Sequence, residues 1–336
     1  MAAAIDRIVP LAACEHGRVT IHGRGFDPGG GGIELGGQRV RPRSVSASSI
    51  AFTVPAGCEG GSLPLRVPGV AGEPPTIEIG SVIARGLHQV DSPAIDAAGR
   101  LYVTYSGSRG EQVPVSIFRI SPDGTRESFV SGLVNATALA FGPDGALYVS
   151  SRFEGIVYRV DDAGHFEPAV SDVGVACGLA FGPDGTMFVG DRSGTVFRVL
   201  PNGQATLLAT LPPSVAAFHL TMGPDRCLYV TAPTLTSRDA VYRVHLDGRV
   251  EAAWRGFGRP QGLAFDPDGV LHVVEALAGA SGLYRLVEGC EPELVISGEG
   301  LVGVAFDGPS HVVLTSNDCA WRVTRRLTPP TTSSAG

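Results

Sequence analysis

No C-x-x-C pair occurs in the 336 residues, and the six cysteines (Cys14, Cys58, Cys177, Cys227, Cys290 and Cys319) lie far apart. That scatter argues against zinc ligation, which needs clustered thiolates or imidazoles at short spacing. The expectation is buried thiols in a reducing compartment; spacing leaves open whether Cys14 and Cys58 pair. No run of eighteen apolar residues exists, so no membrane-spanning helix is expected. Net charge is −7 with no basic block, which argues against nucleic acid as a partner. The opening stretch MAAAIDRIVPLAACEHG lacks a basic segment followed by a long apolar one. A secretory signal is therefore not expected, and the expected location is cytoplasmic. Charged residues make up only 18% against 43% hydrophobic, the balance of a chain that folds around a core. What the sequence does have is glycine, 46 residues, and proline, 25, spread along the chain. That distribution suits many short strands joined by tight turns.

Most of the chain is organised by repeats. A triplet of the LYV type recurs at Leu101–Val103, Leu147–Val149, Met187–Val189, Leu228–Val230, Leu271–Val273 and Val312–Leu314. The period of about 40–46 residues is that of propeller blades with four strands each. A short apolar strand precedes each triplet, as in ALAF, GLAF and GVAF. An aromatic-Arg-aliphatic strand follows each, from Phe118-Arg119-Ile120 to Trp321-Arg322-Val323. The sixth copy lacks its fourth strand, and Thr76–Ala84 stands before the first copy. We therefore expect residues 76–84 to close the last blade, which removes two sheet edges at once. The expected division is a small sandwich at 1–72, a six-bladed propeller at 73–328 and a disordered tail at 329–336. Val67–Thr76, stiffened by Pro74 and Pro75, reads as the linker.

Residues 4–72 alternate in short strands: RVTIHGRGF, GIELGGQRV, SIAFTVP and LPLRV. With Gly17–Phe26, Gly36-Gly37 and Val54-Pro55, this segment resembles an IPT/TIG domain, an immunoglobulin-like sandwich. The resemblance implies a binding or spacer module that contacts a protein or its own propeller. The repeats resemble those of the NHL and senescence-marker/gluconolactonase group; GLAF-GPDG-x-LYV-x-D-x-x-G-x-V-x-R is most complete at Gly178–Val199. The fold class read from all this is all-β: a six-bladed β-propeller preceded by an IPT/TIG sandwich.

The recurring Pro-Asp-Gly turns join the first two strands of each blade. Proline sets φ, aspartate bonds the local backbone and glycine takes positive φ, so turn chemistry accounts for these aspartates. The arginines of the third strands lie near the same turn face and are expected to pair with blade carboxylates. Chemistry is expected at the opposite, entrance face. In the gluconolactonase group one divalent cation sits on the axis, its first ligand a Glu-x-Pro glutamate; the matching residues here are Asp91-Ser92-Pro93. The same column in the other blades reads Thr137, Cys177, Phe218, Gln261 and Val302, where the family expects Asn, Asn and Asp among them. The resemblance implies calcium or magnesium on Asp91 and Gln261, but Phe218 and Val302 cannot coordinate.

Leu271-His272-Val273-Val274-Glu275 resembles one repeat of the virginiamycin B lyases, which have seven blades and use a His/Glu set with magnesium. His272 holds a slot that is aromatic in other blades and is expected to pack between blades. His219 interrupts a column of small residues at the mouth and is either a proton carrier near neutral pH or a space filler beside Phe218. The resulting expectation is an enzyme on a small-molecule substrate, a gluconolactonase-like hydrolase or lyase of lactone or ester linkages. Asp91, His219 and Glu275 are its expected acid–base residues. Tyr105, Asn135, Thr137, Arg152, Cys177, Asp191, Phe218, Gln261 and Asn317 are expected to line the substrate. The alternative is a non-catalytic propeller that binds a peptide, glycan or protein.

Overall fold

The computed structural model describes residues 2–27, 32–277 and 279–325. Among these residues, six four-stranded antiparallel units follow one another. The first strands of successive units are Ala94–Ile95, Ala136–Phe141, Ala176–Phe181, His219–Met222, Pro260–Phe265 and Leu301–Asp307. These inner strands touch in order round a ring, and the sixth meets the first. We number the units blades 1 to 6. The chain is all-β, a β-propeller preceded by an immunoglobulin-like sandwich.

A repeating contact ties the blades together. The second-strand aromatic of one blade meets the first-strand phenylalanine of the next, edge to face. Tyr102 meets Phe141 at 5.4 Å between centroids, Tyr148 meets Phe181 at 5.0 Å and Tyr229 meets Phe265 at 5.2 Å. Edge-to-face pairs of this kind are worth about 0.5–1.5 kcal/mol each beyond their buried area. In blade 5 the slot holds His272, whose ring packs on Phe306 at 5.1 Å.

The repeated turns behave as turn chemistry requires. Gly145 takes φ 76° and donates its N–H to Gly142 O, while Asp144 Oδ1 accepts the Ala146 N–H. Asp144 Oδ2 then pairs with the third-strand Arg159 at 2.7 Å. Arg119 pairs with Glu127, Arg243 with Asp225 and Glu251, Arg285 with Glu293, and Arg322 with Asp307. Arg198 instead donates to Leu246 O at 2.6 Å.

The expected closing strand at 76–84 is two strands. Thr76–Ile79 pairs with Gly61–Arg66 and Ala12–Ala13 inside the sandwich. Only Ser81–Arg85 pairs with Cys319–Thr324 and completes blade 6. The break falls at Gly80, where a Cβ would lie 3.1 Å from Val323 and 3.2 Å from Trp321. No free linker separates the domains here: Pro75, read as linker, already accepts the Leu65 N–H, and the sandwich strand begins at Thr76.

The sandwich sets Ala4–Val9, Arg18–Arg24, Ser49–Thr53 and Ser44–Val45 against a second sheet. Val19, Ile21, Ile33, Leu35, Phe52 and Leu65 fill its core. The second sheet continues into the propeller, because Ala13 pairs in parallel with Ser297 at the end of blade 5. Nearby, buried Glu15 accepts from Arg85 of the closing strand at 2.6 Å and from the Gly57 N–H at 2.7 Å. Burial pushes the Glu15 carboxyl up, but Arg85 and Gly57 outweigh it and hold it below the usual range. The residues expected to form a disordered tail lie outside the described ones.

Candidate functional site

At the mouth of the ring, three side chains from three blades converge. Asp91 precedes the inner strand of blade 1, His219 opens that of blade 4 and Gln261 lies in that of blade 5. Asp91 Oδ1 stands 2.5 Å from His219 Nδ1, and His219 Nε2 stands 3.3 Å from Gln261 Oε1. All three are buried, His219 to 1% exposure. A carboxylate oxygen accepts, so Nδ1 carries a proton towards Asp91. Nε2 is then an acceptor in the neutral ring and a donor in the charged one. The Gln261 amide can turn either end to it and so serve both states.

Small residues make this convergence possible. A Cβ on Gly303 would fall 2.6 Å from Asp91 O, and one on Gly262 would fall 2.5 Å from Ser92 Oγ. Asp91 is further fixed by the Ser92 N–H, which reaches Oδ1 at 2.6 Å. Gln89, wholly buried, donates from Nε2 to Asp91 O at 2.7 Å, and its Oε1 accepts the Thr104 N–H. Thr231 Oγ1 holds the Gln261 carbonyl at 2.6 Å. Gln89 and Thr231 are absent from the sequence-derived set, since Gln89 precedes the repeat column and Thr231 sits in a second strand that reads as core.

Around this trio lie Cys177, Arg152 and His88. Burial pushes the Cys177 thiol up to about 12, with Arg152 pulling it down and Asp91 pushing it up. Cys177 is thus a neutral thiol at physiological pH. Burial lowers Arg152 below the usual guanidinium range, opposed by Cys177 and reinforced by Arg192. Burial and the Arg152 charge lower His88, which meets half-buried Tyr105 edge-on at 5.9 Å. Arg152 also donates to Gly107 O at 3.3 Å.

The other expected site residues are placed elsewhere. Glu275 is a loop clamp: its two oxygens accept the N–H groups of Gly258, Arg259 and Leu277 at 2.7–2.8 Å. Those three bonds, not an imidazole, occupy its carboxylate. Asp191 does the same in blade 3, accepting from Val175, Ser193 N–H and the Ser193 hydroxyl. Asn135, at φ 48°, donates to the carbonyls of Ser106 and Ser108 and accepts from Gly110. It holds the loop of blade 1, and Thr137 Oγ1 donates to its carbonyl. Phe218 is wholly buried and packs over Gly178 and Gly190, so it belongs to the core between blades 3 and 4. Asn317 is exposed and donates to Gln89 O at 3.2 Å.

The axial residues do not fit a hard divalent cation, which takes about six oxygen ligands. Asp91 is the one carboxylate, and its Oδ1 already serves His219 and Ser92. Val302 and Phe218 close the same column with hydrocarbon. Among the described residues, no group of three or more His, Cys, Asp or Glu is arranged to hold a metal ion.

Residues 3–74 match the IPT/TIG domain family. That match covers the N-terminal sandwich. No curated protein sequence matches the chain. Among solved structures, a gluconolactonase from Xanthomonas campestris superposes with a TM-score of 0.60 at 15% identity, over 72% of this chain and 88% of that one. Virginiamycin B lyase from Staphylococcus aureus gives 0.51 at 14% identity, over 88% of this chain and 100% of the lyase. An auxiliary nutrient binding protein from Bacteroides thetaiotaomicron gives 0.55 at 13% identity, over 97% and 98%. At these identities the likeness is one of fold, and propellers host many unrelated activities.

Proposed function

We propose that the mouth of the propeller is the active site of a gluconolactonase-like hydrolase or lyase acting on a lactone or ester, with acid–base chemistry in place of a metal. The observation that carries this reading is the 2.5 Å contact between Asp91 Oδ1 and His219 Nδ1. It fixes the tautomer and orientation of the imidazole and leaves Nε2 to move protons. In hydrolysis, Nε2 takes a proton from water as the water oxygen attacks the carbonyl carbon. The carbonyl electrons move to oxygen, and Arg152 supplies the positive charge at the mouth. Collapse of the adduct breaks the C–O bond, and the imidazolium returns its proton to the leaving oxygen. In elimination the same nitrogen takes a carbon-bound proton as the C–O bond breaks. Because His219 is 1% exposed, the substrate has to displace the Gln261 amide from Nε2.

The test is a screen of lactones and esters with and without a chelator, using the whole chain and the His219→Gln and Asp91→Asn variants. Chelator-resistant turnover that falls about 100-fold or more in His219→Gln supports the reading, since positioned acid–base groups contribute on that scale. Turnover that needs added metal, or that survives His219→Gln, overturns it. A second reading is favoured by one observation: the nutrient binding protein superposes over nearly the whole of both chains, sandwich included. In that reading the same mouth holds a small molecule without reacting it. Ligand binding with no turnover across the screen would select it.

A further inference from the structure

One charge at the mouth has no counter-charge. Arg152 stands in the loop of blade 2 between Leu147–Ser151 and Ile156–Val160. Its side chain is half-buried, and of the several N–H donors of a guanidinium it uses one, to Gly107 O at 3.3 Å. On the turn face, Arg119, Arg159, Arg243, Arg285 and Arg322 each pair with a carboxylate. Among the described residues, no carboxylate pairs with Arg152. The carboxylates of the surrounding loops are committed elsewhere. Asp91 serves His219 and Ser92, and Glu111 accepts the Ser108 N–H. Glu154 accepts the Tyr158 hydroxyl, and Asp191 accepts the Val175 and Ser193 N–H groups.

The groups whose charge reaches Arg152 are Cys177 and a second cation, the exposed Arg192. Neither supplies an anion: burial keeps Cys177 a neutral thiol. His88, lowered by burial and by the same guanidinium, is neutral at physiological pH. A guanidinium stays charged where it is buried, and a buried charge without a partner is costly. An anion brought by a ligand removes that cost. The valence of that anion follows from the neighbours. The Cys177 thiol feels Asp91 and Asp191 as well as Arg152, so carboxylates stand close to the place of the anion. Arg192 is exposed, and water and salt screen its charge. A single negative charge answers Arg152, whereas a doubly charged phosphate leaves one charge opposed by those carboxylates. Because one side chain feels both Arg152 and Asp91, a small molecule reaches from the guanidinium to the Asp91–His219 pair.

We propose that the substrate of the mouth carries a carboxylate, held by Arg152, close to the lactone or ester bond on which His219 acts. This rests on the hydrolase or lyase reading above. A guanidinium grips a carboxylate through two parallel N–H···O bonds, a planar fork that an ammonium lacks. Its remaining donors still present positive charge to the carbonyl. The anchored carboxylate sets which bond of the substrate meets His219.

Binding is measured first, so that the outcome does not depend on turnover. The probes are the half-amides of succinate, glutarate and adipate, each with one carboxylate, beside their neutral diamides. They are titrated calorimetrically into the whole chain at neutral pH. A half-amide of the series should bind saturably and about tenfold or more tighter than its diamide. Arg152→Gln should abolish that preference. Arg152→Lys, which keeps the charge and loses the fork, should keep part of it, and circular dichroism checks that both variants fold. In turnover, the corresponding monomethyl esters should exceed the dimethyl esters in kcat/KM by about tenfold or more, and Arg152→Gln should remove that advantage mainly through KM. A series in which no half-amide is preferred over its diamide overturns the proposal, as does glycerol 3-phosphate binding as tightly as the best half-amide. So does an equal loss for monoesters and diesters in Arg152→Gln, which would leave Arg152 serving the carbonyl alone. All three results leave the hydrolase reading standing. A half-amide preference that depends on Arg152, with no turnover of any ester, supports the carboxylate site and overturns the hydrolase reading instead.

Discussion

Gly190 lies beneath Phe218 and Leu220, and replacing it with alanine tests whether Phe218 is core or pocket. A Cβ there would stand 2.3 Å from Leu220 Cδ1 and 2.5 Å from Phe218 Cδ1. The backbone at Gly190 lies outside the left-handed region, so the alanine costs packing and not strain. Inserting a methyl into a filled core costs about 1–3 kcal/mol. Phe218→Leu shrinks a wholly buried ring and should cost roughly 1–2 kcal/mol by itself, less than the 3–5 of truncation to alanine. In the double variant the leucine vacates the volume that the new methyl needs. The two costs should then fall short of additive by about 1 kcal/mol or more. Urea unfolding followed by tryptophan fluorescence measures this, and Trp254 reports from blade 4 itself, beside Tyr229. Costs that add to within about 0.5 kcal/mol would refute the packing argument. A Gly190→Ala protein as stable as wild type would refute it as well.

His272 should make stability depend on pH. Its folded pKa of about 4 lies below the ordinary 6.5. The unfolded chain therefore takes up a proton first as pH falls, and stability present above about 6.5 is lost between there and about 4. The loss should reach about 2 kcal/mol by pH 5, and His272→Phe should remove that part of the slope in urea midpoints; a slope unchanged in the variant would contradict it. Histidine nitrogen NMR should find His219 protonated at Nδ1 in the neutral ring, because Asp91 accepts there; a neutral ring protonated at Nε2 would undo the proton-transfer argument. Arg85→Ala should cost about 1–3 kcal/mol in urea unfolding, since it leaves buried Glu15 with the Gly57 N–H alone. The Glu15 carboxyl is held below its usual range, so that contribution is present at neutral pH and is lost as acid protonates it. Equal stability of the two proteins at neutral pH would show that the junction does not rest on this pair.

Repetition made the propeller legible. A Pro-Asp-Gly turn or a third-strand arginine has the same partners in several blades, so its role can be inferred from the pattern alone. The column at the mouth was legible too, because His219 departs from a run of small residues, and the structure places it against Asp91. What the sequence hid was the use to which loop residues are put. Glu275 and Asn135 read as site residues by position, yet backbone N–H groups and carbonyls occupy their side chains. Phe218 read as lining because it sits in the column, but the glycines at 178 and 190 that receive it come from another blade. The strand at 76–84 read as one because its residues alternate throughout. Only the tight passage at Gly80 divides it between two sheets. How the sandwich docks on the propeller, through Ala13 and Ser297, is something no local pattern encodes.

The clamps also explain why the site is where it is. Asp191, Asp239 and Glu275 stand at or near corresponding strand ends of three blades, and each gathers loop N–H groups: Asp191 from Val175 and Ser193, Asp239 from Thr234, Glu275 from Gly258, Arg259 and Leu277. Those N–H bonds occupy the clamp carboxylates and tie each one to its loop. Asp91 accepts one N–H, from Ser92, and an imidazole. Its charge therefore acts on the His219 imidazole, whereas the charges of the clamps fix loops. Exchanging these roles would need Glu275 to release three amides, leaving buried donors without partners at about 1–3 kcal/mol each. The loop clamps at the mouth and the Asp91–His219 pair between them thus rest on the same residue type, separated by what each carboxylate accepts.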